Sequence, residues 1–345
     1  MKLVFSERQL EHRPGGFLVR GLMKPAAEQP ERALRLRAAA LAAGHQAIEP
    51  DDYGAAPREA VHSARYLRFL ETAHARWRAL EGAAADAIPN VHPNRFSSGY
   101  PEAIVGQVGF HMADTAAPLM ATSWPAITAS ANAAVHAARL VAEGARVAYA
   151  LCRPPGHHAF ADQGGGFCYL NNTAIAAAEL RRSTARIAVL DVDVHHGNGT
   201  QGIFYERGDV LTVSIHADPA HYYPFFWGYA GETGAGPGAG ANLNLPLALG
   251  TGMAGYRSAL ETALGRIRAF GADALVVALG LDAYEGDPLS GLKIPTEGFG
   301  EIAEAIAKLG LPTVLVQEGG YLSDALGRNL VTFLAGFEAG QRAVA

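Results

Sequence analysis

The chain has 345 residues, of which 49% are hydrophobic, and 28 basic against 33 acidic side chains give a net charge of −5. That length and apolar fraction can bury a large core as a single α/β catalytic domain, 1–345. The lack of a basic run excludes a phosphate-neutralising nucleic-acid surface. The two cysteines, Cys152 and Cys168, form neither a disulfide framework nor a CxxC pair, as in a reducing compartment.

In chain order, residues 1–10 show no basic segment followed by an apolar core, so no secretory signal is read. No apolar stretch reaches the roughly 20 residues of a membrane helix. A cytoplasmic protein with no membrane or nucleic-acid partner is expected. Valine- and isoleucine-rich runs predict buried strands at 2–5, 147–151, 187–190, 211–215, 274–279 and 313–316. Helical patterns fall at 31–43, 64–79, 128–143, 174–182, 253–270, 301–308 and 324–338. Residues 82–116 read as an irregular, proline-containing loop or oligomer contact, and 231–240 as a glycine-rich loop near the site. Strand–helix alternation implies a parallel sheet covered on both faces, with ligands beyond the carboxyl ends of its strands.

The strand ending at residue 190 runs into Asp191-Val-Asp-Val-His-His-Gly-Asn-Gly199. On a continuing strand, Asp191, Asp193 and His195 would share one face. Carboxylates and imidazole gathered at a buried strand end carry a large desolvation cost unless a cation compensates, and this donor set suits zinc. Asp282, just after the run 274–279, is the expected third ligand alongside Asp193 and His195. Another strand leads into Cys152-Arg-Pro-Pro-Gly-His-His158, where adjacent imidazoles can take a proton from water and return one to a leaving amine. Asp191 and Asn198, one charged and one neutral, are expected to orient them and split their pKa values. A further strand end carries Glu318-Gly-Gly-Tyr321, whose tyrosine can donate to a developing oxyanion. These residues point to metal-dependent amide hydrolysis.

Arg153-Pro-Pro-Gly-His-His158, Gly166-Phe-Cys-Tyr-Leu-Asn-Asn172, Asp191–Gly199, Gly280-Leu-Asp282 and Glu318–Tyr321 resemble, in order and spacing, the histone deacetylase superfamily. The resemblance is strongest to bacterial acetylpolyamine amidohydrolases, and extends to 205–210 and 228–234. It implies an arginase–deacetylase α/β fold, a single central parallel sheet of about eight strands flanked by helices. It implies zinc, with ferrous iron an alternative, on Asp193, His195 and Asp282. It makes His157 and His158 the tandem pair, backed by Asp191 and Asn198 respectively, with His158 the general base and Tyr321 polarising the scissile carbonyl. Potassium is implied on the Asp191 carboxylate, the Ser214 hydroxyl and carbonyls of Asp191, Asp193, His195 and Ile215. A second such site would use carbonyls near Phe204, Arg207 and Val210. The resemblance also gives 82–116 as an insertion pairing subunits, hence a homodimer or homotetramer.

Gly166 and Phe167 are implied as tunnel lining. The resembled hydrolases carry glutamates, thought to attract the cationic polyamine, where Phe17 and Val105 align here. With Tyr223, Phe225, Phe226 and Trp227 these give an apolar rim. The expected substrate is therefore a small neutral linear carboxamide, an aryl or N-alkyl amide such as a xenobiotic. Alternatives are deacetylation of acetylpolyamines or acetyl-lysine, and, in another class, a non-catalytic receptor for acyl ligands.

Overall fold

The structure is a computed structural model describing residues 1–97 and 99–344; Ser98, within the 82–116 segment, and Ala345 lie outside the described residues. Its strands are β1 (Lys2–Val4), β2 (Gly16–Val19), β3 (Leu22–Pro25), β4 (Gln46–Ile48), β5 (Val147–Ala150), β6 (Ile187–Asp191), β7 (Val210–Ala217), β8 (Asn242–Leu247), β9 (Ala274–Leu279) and β10 (Thr313–Gln317). Its helices are α1 (Pro30–Ala42), α2 (Ala56–Glu59), α3 (Ala64–Arg78), α4 (Ile104–His111), α5 (Ser123–Ala142), α6 (Asn172–Leu180), α7 (Asn198–Phe204), α8 (Met253–Phe270), α9 (Thr296–Ala307) and α10 (Leu326–Ala343).

Eight strands form one sheet in the order β4-β1-β5-β10-β9-β6-β7-β8. Every neighbouring pair is parallel. Alternate strand residues feed two cores, as a sheet buried on both faces requires. Leu190, Val277 and Leu315 pack with Leu36, Leu260, Ile302 and Phe333 of α1, α8, α9 and α10. Val189, Val276 and Val316 pack on the other face with Tyr66, Ala134 and Ile175 of α3, α5 and α6. The alanine-rich buried faces of α5 and α6 let those helices lie close to the sheet.

The six predicted strands are all present, and β9 has its predicted bounds. Sequence reading missed both edges. β4 is only three residues long, and β8 carries Asn242, Asn244 and Pro246, a composition that an edge strand tolerates. It also missed the antiparallel β2–β3 hairpin. Within 82–116, read as irregular, α4 forms a short helix whose buried side is Ile104, Gln107 and Val108. The run at 231–240 is not beside the candidate site. It wraps the Tyr205–Arg207 backbone, and none of its residues lines the main cavity. Among the described residues, no helix is long and apolar enough to cross a membrane.

Candidate active site

The sheet order explains why residues so far apart in sequence meet. β5, β10, β9 and β6 are consecutive neighbours, and their carboxyl-terminal loops carry His157 and His158, Tyr321, Asp282, and Asp193 with His195. The expected pleat does not deliver the last two, because β6 ends at Asp191. Asp193 and His195 sit on the following loop, turned by side-chain-to-backbone bonds. Asp193 N donates to Asp191 Oδ1 (3.1 Å) and His195 N to Asp193 Oδ1 (2.9 Å). Val194 N donates to Asp282 Oδ1 (3.1 Å), drawing the β9 loop onto the β6 loop.

Asp193, His195 and Asp282 are all buried, with ligand-capable atoms within 4.8 Å of one another. His195 Nδ1 lies 3.0 Å from Asp193 Oδ1 and 3.2 Å from Asp282 Oδ2. Asp282 Oδ2 has no donor aligned to it. Burial, with the Asp193 charge added, pushes the Asp282 carboxyl up. Two buried carboxylates and one imidazole are the donor set of a divalent cation. At Gly319 the backbone comes so close that a Cβ would stand 2.0 Å from Asp282 Oδ2, so only glycine leaves this cradle open.

The histidine pair lies beside that cradle, ring centroids 4.0 Å apart. His157 Nδ1 donates to Asp191 Oδ2 at 2.9 Å and His158 Nδ1 to Asn198 Oδ1 at 2.7 Å, the expected partners in both cases. Burial alone would depress His157, but the Asp191 and Asp193 carboxylates, with Glu318, raise it to about 10. Burial and the positive charges of His157 and His195 hold His158 well below the ordinary imidazole value. The arrangement thus favours one cationic and one neutral imidazole.

Tyr321 is buried at the end of the β10 loop. Its N–H donates to Asp287 Oδ2 (2.7 Å), and the Arg32 guanidinium lies 4.7 Å above its ring. Arg32 also donates to the carbonyls of Gly320 (2.5 Å) and Glu318 (2.7 Å), and pairs with Glu28 at 2.9 Å.

Tyr321, His158, His195 and Asn198 line a cavity of about 780 Å³. Gly166, Phe167, Phe17, Tyr223, Phe225, Phe226 and Trp227 also line it. Phe167 packs edge-on against both Phe17 and Tyr321. Gly166 has φ +54°, and a Cβ there would meet His158 Cδ2 at 2.5 Å. The chain matches the histone deacetylase domain over residues 26–337. It belongs to the histone deacetylase family. Among its family relatives is an acetylpolyamine amidohydrolase of Burkholderia pseudomallei, 48% identical over 98% of this chain and 99% of the relative. Acetylpolyamine amidohydrolase 1 of Pseudomonas aeruginosa is 45% identical over 99% of this chain and all of the relative. The crystal structure of a Burkholderia pseudomallei acetylpolyamine aminohydrolase superposes with a TM-score of 0.95 at 47% identity, covering 98% and 99% of the two chains. Deacetylase-type amide hydrolysis is the chemistry of such relatives, and this family member is a hydrolase of linear amides.

Two rim expectations need correction in this histone deacetylase family member. Val105, expected on the rim, is not among the cavity-lining residues. It sits at the start of α4, whereas the residues just after α4, Ala113 to Ala116, form the wall. The wall is also not purely apolar. Asp114 lines it, accepting from Tyr223 Oη (2.8 Å) and Gly166 N (3.0 Å). No motif marks Asp114 in the sequence. Arg32 left a trace: it is a charge in the buried stripe of α1, beside Ala33 and Leu36.

Of the residues implied for potassium, Asp191 and Ser214 line one small polar cavity of about 10 Å³, while Ile215 is buried in the core and does not line it. Ser214 Oγ is 2.8 Å from His216 Nδ1. In the second implied set, the Phe204 carbonyl accepts from Arg207 N.

Proposed function

We propose that this chain deacetylates linear acetylated amines, with acetylpolyamines and acetyl-lysine side chains as the substrate class. The carrying observation is the Asp193–His195–Asp282 cradle directly beside a histidine pair of which one member is held by a carboxylate and the other by an amide, with His195 and His158 facing a cavity of about 780 Å³. The full-length relatives bear the name acetylpolyamine amidohydrolase, which favours this reading over a neutral aryl or N-alkyl amide as the main substrate. Asp114 supports it from the structure, supplying a carboxylate on the cavity wall beside Tyr223. A cation can also lie against the faces of Phe17, Phe167 and Trp227.

The residues fit a divalent metal, zinc by donor type, on Asp193, His195 and Asp282: the unpartnered Asp282 Oδ2 and the Gly319 cradle are what such an ion requires. When bound, the ion would act as a Lewis acid toward the acyl carbonyl and the attacking water. Tyr321 donates its hydroxyl hydrogen to the carbonyl oxygen as negative charge develops there. Neutral His158 accepts the proton of the attacking water through Nε2, its Nδ1 being committed to Asn198. The pair then returns a proton to the leaving amine, with Asp191 holding His157 in register. For potassium we assign Asp191 and Ser214, which line one small cavity together.

A second reading, hydrolysis of a neutral aryl amide, draws on Phe17 standing where the resembled hydrolases carry glutamate and on the exposed Phe225, Phe226 and Trp227. Comparing kcat/KM for N-acetylputrescine, an acetyl-lysine peptide and acetanilide separates the two. Preference for the cationic acetylated amines supports the first reading, and preference for acetanilide the second.

A further inference from the structure

We infer that Glu318 is a positioning residue that locks the histidine-bearing turn after β5 to the tyrosine-bearing loop after β10. Its side chain is fully buried. Oε2 accepts from the backbone N–H groups of Gly156 (2.6 Å) and His157 (3.0 Å), and Oε1 from the Thr173 hydroxyl on α6 (2.6 Å). Its own backbone is held equally firmly: Glu318 N donates to Leu279 O (2.9 Å), and its carbonyl accepts from Arg32 (2.7 Å). One side chain therefore spans β10, the β5 turn and the start of α6.

His158 follows this clamp by one residue and Tyr321 by three. They are the two groups that must sit on opposite sides of the reacting carbonyl, and the spacing between them is set by the Glu318 carboxylate. A carboxylate this deep in the protein carries a heavy desolvation cost and is kept where its hydrogen bonds specify a geometry. An apolar side chain here would strand two backbone N–H groups. Glu318 does not line the cavity, so it acts through His158 and Tyr321 and not on substrate. His157 and Cys168 offer ligand atoms within 4.8 Å of it, but both Glu318 oxygens already accept hydrogen bonds, which leaves the carboxylate uncommitted to any ion.

The inference rests on the reaction proposed above, and its test separates the two. In Glu318→Gln the amide oxygen still accepts from Gly156 and His157, while Thr173 turns its hydroxyl to accept from the amide NH₂. In Glu318→Asp the charge stays but the reach is one methylene too short. With N-acetylputrescine as substrate, Glu318→Asp is expected to lower kcat about 100-fold with KM within about twofold, and Glu318→Gln only about threefold. Thr173→Val is expected to cost about fivefold alone and nothing more on top of Glu318→Asp, because both act through one clamp. Circular dichroism and metal content stay at wild-type levels in all variants. Amide hydrogen exchange at Gly156 and His157 accelerates in Glu318→Asp, a readout independent of turnover. If wild type leaves N-acetylputrescine intact, the reaction reading fails while the exchange measurement still decides the clamp. Equal loss in Glu318→Gln and Glu318→Asp, or unchanged exchange in Glu318→Asp, would overturn it.

Discussion

Asp282 Oδ2 concentrates the chemistry of the site in one atom: it is buried, 3.2 Å from His195 Nδ1 and without an aligned donor, and burial beside Asp193 disfavours its charge unless a cation offsets it. Asp282→Ala should therefore lose divalent metal, measurable as metal content after gel filtration, together with turnover. Tyr321→Phe should keep the metal and lose turnover by about 10²–10³, the usual cost of one oxyanion donor; full activity in that variant would remove Tyr321 from the reaction. Asp114→Asn tests the wall carboxylate, with kcat/KM expected to fall about tenfold for N-acetylputrescine and hardly at all for acetanilide. At this scale the sequence was legible wherever chemistry-bearing residues followed a buried strand. Asp193, His195, Asp282, both histidines and Tyr321 all follow one. Asp114 was not legible, since it follows a short helix in a stretch with no periodic signal and reaches the cavity only through tertiary packing.

Among the elements, α1 shows how the site is braced from behind. Its buried stripe holds Arg32, paired with Glu28 and donating to the Glu318 and Gly320 carbonyls. Glu28 keeps a second partner in Arg153, 2.8 Å away, but removing Arg32 strands the buried Glu318 and Gly320 carbonyls, each a loss of about 1–3 kcal/mol. Arg32→Leu should therefore lower the urea midpoint strongly, whereas the exposed Arg257→Leu, which breaks the surface pair with Glu301, should shift stability by less than about 1 kcal/mol. Central strands such as β9 and β10 read clearly because burial on both faces makes them continuous apolar runs. Edge strands β4 and β8 lack that constraint, and their short or polar sequences carry no comparable signal. The loop after β6 was misread as pleat because alternation of acidic residues looks the same in a strand and in a chain of side-chain-capped turns.

Taken whole, the molecule is one parallel sheet between two apolar cores, and several histidines are sealed into that packing as neutral rings. His62 accepts from Asn171 N (2.9 Å) and lies 3.0 Å from the Phe160 carbonyl. Burial, offset in part by backbone hydrogen bonds, lowers it to about 4. A histidine depressed on folding contributes stability above its unfolded pKa of ~6.5, and that stability is lost as pH falls toward 4, because the unfolded chain takes up the proton first. His62 alone accounts for about 3 kcal/mol across that window. His62→Gln, which can keep both hydrogen bonds, should flatten the loss of stability between pH 7 and 4.5 in urea titrations; an unchanged slope would place the acid sensitivity elsewhere. If the carboxyl ends of β5, β10, β9 and β6 assemble a metal-dependent deacetylase, as proposed, acetate release must depend on the metal. The most direct test is acetate release from N-acetylputrescine by protein carrying stoichiometric zinc, compared with the same protein after chelation. The expected result is turnover that disappears with the metal and returns on adding it back. Fully metallated, folded protein that releases no acetate from N-acetylputrescine, an acetyl-lysine peptide or acetanilide would contradict the account.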